Sequence, residues 1–126
     1  MQNILIVACG GALGSVLRFV IYEISKFFYK DSFFFPTVFV NVLGCFVMGI
    51  IYCFSLQNFS MSEAAKIFLI TGFLGGFTTF SSFSLDAFKF FNSGQHFVAF
   101  SYIFLSVLFS LLFFFCGFFV AKLISV

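Results

Sequence analysis

This chain predicts an all-α membrane protein with four transmembrane helices, the third broken at mid-membrane. Three observations predict it. Hydrophobic residues make up 63% of the 126 positions and charged residues only 8%, against about 45–50% and about 25% in soluble globular domains. The mean hydropathy is +1.22, because so few polar groups cannot coat a globule in water. The polar residues also fall in clusters that part the sequence into four apolar runs, each near the ~20 residues a bilayer-spanning helix requires.

The first run covers about Ile4 to Tyr22 and stops at Glu23-Ile24-Ser25-Lys26. Its start, Met1-Gln2-Asn3 and then Ile4-Leu5-Ile6-Val7, has no basic n-region and no Ala-x-Ala site. It therefore reads as part of the first span and not as a removable signal. After Lys30-Asp31-Ser32 the second run covers about Phe33 to Leu56 and ends at Gln57-Asn58. The only proline, Pro36, sits near its start, where a missing N–H costs little. Ser60-Met61-Ser62-Glu63 has the pattern of a helix start, and the third run covers about Lys66 to Phe91. Asn92-Ser93-Gly94-Gln95 is a turn cluster, and the fourth run covers about Phe97 to Ile124. No linker or soluble repeat interrupts this order, so residues 1–126 read as one four-helix transmembrane domain.

Composition excludes several kinds of chemistry. One histidine, His96, and four acids in all cannot supply the clusters that metal hydrolysis or a Ser-His-Asp triad needs. The chain reads as a non-enzyme. Cys9, Cys45, Cys53 and Cys116 fall singly in apolar stretches without Cys-x-x-Cys spacing, and read as small hydrophobes. A net charge of +2 leaves no nucleic-acid footprint.

Orientation follows from lysine and arginine in the short loops. With both termini on one side, Lys26, Lys30 and Lys89 face the other, against Lys66, Lys122 and the terminal amine. This near-balance leaves two readings open: insertion both ways up, with opposite copies pairing, or one topology set by other signals.

The third run contains Gly75-Gly76-Phe77-Thr78-Thr79-Phe80-Ser81-Ser82-Phe83-Ser84. Glycine costs ~1 kcal/mol relative to alanine inside a helix, so a break is expected here. Unpaired backbone in hydrocarbon is tolerated only where it faces protein, water or an ion, and freed carbonyls can coordinate a cation. Alternatively the glycines serve close helix contact, as Gly10-x-x-x-Gly14 and Gly72-x-x-x-Gly76 would permit. The four hydroxyls of Thr78, Thr79, Ser81 and Ser82 favour a functional break.

Other spans carry isolated polar groups. Arg18 lies near the end of the first run, placed either to snorkel or to draw anions into a vestibule. Asn41 sits in an apolar stretch and either ties helices together or offers its NH₂ to a ligand. Tyr102, Ser106 and Ser110 are spaced four apart and share one helix face, as a polar track or as hydroxyls bonded back to their own helix. Phenylalanine occupies 27 positions, and most of these, such as Phe114, read as lipid-facing bulk. Phe80 and Phe83 lie inside the hydroxyl-rich stretch, where the positive edge of an aromatic ring can stabilise an anion.

Gly10-Gly11-x-x-Gly14-x-x-x-Arg18, Thr37-x-x-x-Asn41-x-x-Gly44 and above all Gly75-Gly76-Phe77-Thr78-Thr79-Phe80-Ser81-Ser82-Phe83-Ser84 resemble the Fluc (CrcB) fluoride channels over nearly the whole chain. The resemblance implies a passive, fluoride-selective channel of the bacterial inner membrane that lets cytoplasmic fluoride leave the cell and so protects against its toxicity. It implies an antiparallel, dual-topology homodimer with two pores at the subunit interface. Asn41, Phe80 and Phe83 would line the fluoride path with Thr79 and Ser82, the hydroxyl track would be Tyr102, Ser106 and Ser110, and Arg18 would stand at the vestibule. Backbone carbonyls of Gly75 and Thr78 would hold a structural Na⁺ at the dimer centre. Two departures are visible: Phe35-Pro36 directly precedes Thr37 where the family often has Pro-x-Gly-Thr, and Ser82 stands where a threonine is usual.

Two other readings compete. A small multidrug antiporter needs a membrane-embedded carboxylate; only Asp86 lies inside a run, near its exit. A non-transporting assembly subunit would leave the polar stretch without purpose.

Overall fold

The structure is a computed structural model that describes residues 1–28, 34–56 and 61–125. The loop signals at Lys30-Asp31-Ser32 and Gln57-Asn58, with Ser60 and the expected second-span start at Phe33, lie outside the described residues. Helix α1 is Gln2–Phe28 and α2 is Phe35–Leu56. The third span runs through α3 (Glu63–Lys66), a π-helical stretch (Ile67–Leu74), α4 (Gly75–Phe77) and α5 (Phe80–Asn92), and α6 (His96–Ile124) completes the order. Four helical spans, Gln2–Phe28, Phe35–Leu56, Glu63–Asn92 and His96–Ile124, are long and apolar enough to cross a membrane.

Helix α1 continues past the expected stop at Glu23–Lys26. Polar residues end an apolar run without ending a helix, and Lys26 Nζ pairs with Glu23 Oε1 at 2.5 Å across one turn. At 27 residues the helix is about 40 Å long at ~1.5 Å per residue, longer than a ~30 Å hydrocarbon core. Pro36 is accommodated in the first turn of α2. Ser62 caps α3, its side chain accepting from Ala65 N at 3.2 Å. Gly94, at φ +76°, makes the left-handed turn between α5 and α6.

Helix α2 lies along α6, and α1 lies along the π-helical stretch and α4. The second contact explains the glycines. A Cβ on Gly10 would stand 2.6 Å from Phe68 O, and one on Gly76 would stand 2.5 Å from Gly11 O, so two backbones touch where side chains are missing. Gly75 and Gly76 are helical, and the residues that leave the helix are the next two, Thr78 (φ −77°, ψ 159°) and Thr79 (φ −151°, ψ 111°).

Phe83, Ala87, Phe90, Ala99 and Tyr102 form a buried cluster between α5 and α6. The exterior is apolar too: Phe97 is 85% exposed, Leu123 79% and Phe104 66%. Such a coat suits acyl chains and not water. Phe114 is half-buried beside Tyr52, their rings 6.3 Å apart.

Candidate functional site

A cavity of about 330 Å³ opens between α2, the Thr78–Thr79 interruption and α6. Its wall brings together Asn41, Thr79, Phe80, Phe83, Ser106 and Ser110, positions that span most of the sequence. Asn41 fixes the geometry. Its Oδ1 accepts from Thr79 N at 2.7 Å and its Nδ2 donates to Thr79 O at 3.0 Å. A carboxamide carries two N–H groups, so one Nδ2–H remains for the cavity. The two sequence readings of Asn41 are therefore compatible, since one side chain ties α2 to the interruption and keeps a donor in reserve.

Those bonds also set where the helix stops. In an unbroken helix Thr79 N would bond Gly75 O, and Ser82 N would bond Thr78 O. Here Thr79 N goes to Asn41 Oδ1 and Ser82 N goes to Thr79 Oγ1, at 3.1 Å. Gly75 O and Thr78 O thus lose their helical donors. Gly75 is exposed and Thr78 half-buried in the single chain. The Thr78 hydroxyl turns back to Leu74 O at 2.9 Å, whereas Thr79 Oγ1 meets Ser81 Oγ at 3.2 Å and Ser82 Oγ at 3.1 Å. Among the described residues no group of three His, Cys, Asp or Glu side chains could hold a metal ion.

Phe80 and Phe83 stand with ring centroids 5.3 Å apart, and Phe83 stacks on Tyr102 at 5.4 Å and 29°. Their burial differs sharply: Phe83 is 8% exposed and Phe80 77%. On α6, Tyr102 Oη and Ser106 Oγ are buried without a hydrogen-bond partner among the described residues. Back-bonding to the helix does not explain Ser106, and a buried hydroxyl left unpaired is uncommon. Ser106 and Ser110 line the cavity; Tyr102 sits one turn before Ser106, among the aromatic rings.

Arg18 is elsewhere. A second hollow, about 540 Å³, is lined by Ser15, Arg18, Tyr22, Glu23, Lys26 and the pair Ser81 and Ser82, among others. Ser82 therefore faces the Arg18 hollow, and the Thr79–Ser82 hydroxyl bond links the two walls. Among the described residues no carboxylate forms an ion pair with Arg18.

Sequence reasoning gave Asp86 no part in the site. Asp86 is 4% exposed and Thr37 is fully buried. Thr37 Oγ1 donates to Asp86 Oδ2 at 2.6 Å and lies 2.7 Å from Tyr22 Oη. A hydroxyl has one proton, so Tyr22 donates to Thr37 and the chain of donors ends on the carboxylate. Lys89 Nζ stands 3.5 Å from Asp86 Oδ1. Asp86 lies four residues after Ser82 and three after Phe83, one face of α5, which is the signal that could have found it.

The family model described as CrcB-like protein, Camphor Resistance (CrcB), matches residues 5–118. A protein of Dehalococcoides mccartyi, named a fluoride-specific ion channel FluC, is 40% identical over 125 residues, covering 99% of this chain and 96% of its own. One of Azobacteroides pseudotrichonymphae with the same name is 44% identical over 108 residues, 86% of each chain. One of Rhizobium etli, again of that name, is 46% identical over 95 residues, 75% of this chain and 76% of its own. With four membrane-crossing helices and these matches along nearly its whole length, the chain is a multi-pass membrane protein that belongs to the CrcB family.

Proposed function

We propose that this chain is a fluoride channel and not an enzyme: a passive path by which cytoplasmic fluoride leaves a bacterial cell across its inner membrane. The relatives above bear that name. The observation that carries the reading is the cavity where an amide donor, two phenylalanine rings and the buried, unpartnered Ser106 hydroxyl meet. Fluoride is small and strongly hydrated, so a bare cation inside a narrow path would hold it too tightly to release. Several weak sites conduct better. Asn41 supplies the spare N–H, the edges of Phe80 and Phe83 supply diffuse positive potential, and Tyr102, Ser106 and Ser110 continue the donors along α6. Thr79 and Ser82 border the path, and Arg18 draws anions to its mouth, where water keeps its charge from trapping them.

The working unit in this proposal is an antiparallel homodimer with two pores at the subunit interface. Three features support it: the near-balance of loop lysines, the 77% exposure of a ring that borders the cavity, and the exposure of Gly75, whose carbonyl lacks its helical donor. The interruption then lies at mid-membrane, and Gly75 and Thr78 carbonyls from both copies would hold a structural Na⁺ that offsets the freed backbone dipoles. Because backbone atoms would do the binding, Thr78→Ser should leave dimer stability nearly intact, whereas Gly75→Val should make the detergent-extracted protein elute as monomer. Tracer sodium that moved with fluoride would overturn the structural role.

The test of the proposal is a fluoride-selective electrode recording of vesicles holding the purified protein. Fluoride should leave down its own gradient with no pH gradient imposed, and chloride should stay. Movement only under a proton gradient would instead point to an antiporter working through Asp86, and no movement at all to an assembly subunit.

A further inference from the structure

We propose that Cys45 is a further wall residue of the ion path, where its thiol and the Ser110 hydroxyl form a weak donor pair one turn beyond Asn41, and that a thiol reagent closes the path there. This rests on the fluoride-channel reading above. Asn41 and Cys45 are four residues apart on α2 and so share a face, and both line the cavity of about 330 Å³. Cys45 is half-buried there, and Ser110 of α6 lines the same cavity wall across the gap between α2 and α6. A second observation marks the same wall as a place for a ligand. Ser106, one turn before Ser110 and 6% exposed, has a buried hydroxyl without a partner among the described residues. A thiol is a weak, neutral donor, suited to handing an anion from an amide to hydroxyls without binding it firmly.

The other three cysteines serve as internal controls. Cys9 and Cys116 are exposed, and Cys53 is buried; none of them lines this cavity. Methyl methanethiosulfonate is a small, neutral probe. The Cys45 thiolate would attack its sulfenyl sulfur, forming a mixed disulfide that carries a methylthio group. Methanesulfinate would leave and the thiol proton would pass to buffer.

Reconstituted parent protein is treated with the reagent while fluoride efflux is recorded and modification of each cysteine is followed by mass spectrometry. Efflux should fall by about tenfold or more, equivalent to ~1.4 kcal/mol on the barrier, in step with modification of Cys45, and return on reduction with dithiothreitol. Cys9→Ser and Cys116→Ser should stay sensitive, and Cys45→Ser should lose sensitivity. Complete modification of Cys45 with efflux intact would overturn the inference. So would fluoride flow with Cys45 never modified, or inhibition that persists in Cys45→Ser. Should Cys45→Ser fail to fold, the time course on the parent decides alone. If untreated vesicles release no fluoride, the channel reading fails first, and this inference with it; that arm needs no reagent, so the two failures are distinct.

Discussion

Helices α2 and α6 border two hollows on different faces. One, of about 330 Å³, is lined by Asn41, Thr79, Ser106 and Ser110 together with Phe80 and Phe83. The other, of about 570 Å³, is lined by Phe35, Val38, Phe39, Val42, Leu43, Phe46, Phe109 and Phe113. The larger hollow offers an anion nothing, because none of its side chains can donate a hydrogen bond, and bare hydrocarbon is a poor exchange for water. Room is therefore a weak guide to a path in this protein. What separates the two faces is that one helix turn of α2 brings Asn41 to the interruption while the next face brings only carbon.

The sharpest way to break that contrast is to erase the polar hollow's anchor. Asn41→Leu removes both bonds to Thr79 at nearly constant volume, orphaning a backbone N–H and C=O at a cost of about 1–3 kcal/mol each. Fluoride efflux should fall by about a hundredfold or more, ~2.7 kcal/mol on the barrier, with a lower melting temperature in detergent. Asn41→Asp should separate the two losses. Its carboxylate keeps an acceptor for Thr79 N, so melting should recover in part, while efflux stays low without the donor. Normal efflux in either variant would move the path away from this cavity.

The rings come next. Phe80→Ile and Phe83→Ile each remove a ring whose interactions are worth about 0.5–1.5 kcal/mol, so each should slow efflux by about tenfold. Stability should tell the two apart. Phe83 is buried and stacked on Tyr102, so its variant should also melt earlier; Phe80 is 77% exposed within one chain, and its variant should lose less. Phe104→Ile, at a ring that is 66% exposed and lines neither hollow, is the comparison, with efflux kept. If all three conducted like the parent, the rings would be filler.

How much of this was legible beforehand follows the range of each interaction. Apolar runs, the Ser62 cap and the Gly94 turn are local signals, and the structure has them where the residues pointed. Gly72 and Gly76 were legible as a contact surface because their spacing repeats in Gly10 and Gly14. The residues marked only a stretch, Gly75 to Ser84, for an interruption; that the helix ends at Thr78 and Thr79 was not legible, because it ends where Asn41, 38 residues away in sequence, takes the Thr79 amide. The Thr37–Asp86 bond joins residues 49 apart, and no local pattern announces it. The end of α1 was read short for the opposite reason: the sequence shows where hydrocarbon stops, and Glu23 with Lys26 carries the helix further.

A smaller effect tests the hydroxyl track. Ser106→Ala removes an Oγ that has no partner among the described residues, so nothing is orphaned and a desolvation cost disappears. The melting temperature should hold or rise slightly while efflux falls several-fold, by less than the ~1.4 kcal/mol that tenfold represents. A hydroxyl kept for the fold would give the reverse, a lower melting temperature and unchanged efflux.

The smallest expected effect lies in the larger hollow. Phe109 is 42% exposed and borders it on α6, only one residue from Ser110, whose side chain serves the other hollow. Phe109→Leu enlarges a space already lined by carbon and leaves every hydrogen bond around Asn41 in place. A surface change of this kind costs within about 0.5 kcal/mol, and efflux should stay within about twofold of the parent, since ~0.4 kcal/mol is all that twofold represents. Phe109→Ser is the stricter form, because it puts a hydroxyl into the hollow without giving it a second donor to pass an anion to. A lone donor in hydrocarbon is not a track, so this variant too should add no chloride or fluoride leak. A tenfold change in efflux from either variant would mean that space between α2 and α6 governs conduction after all, and that the chemical contrast between the two faces is incidental.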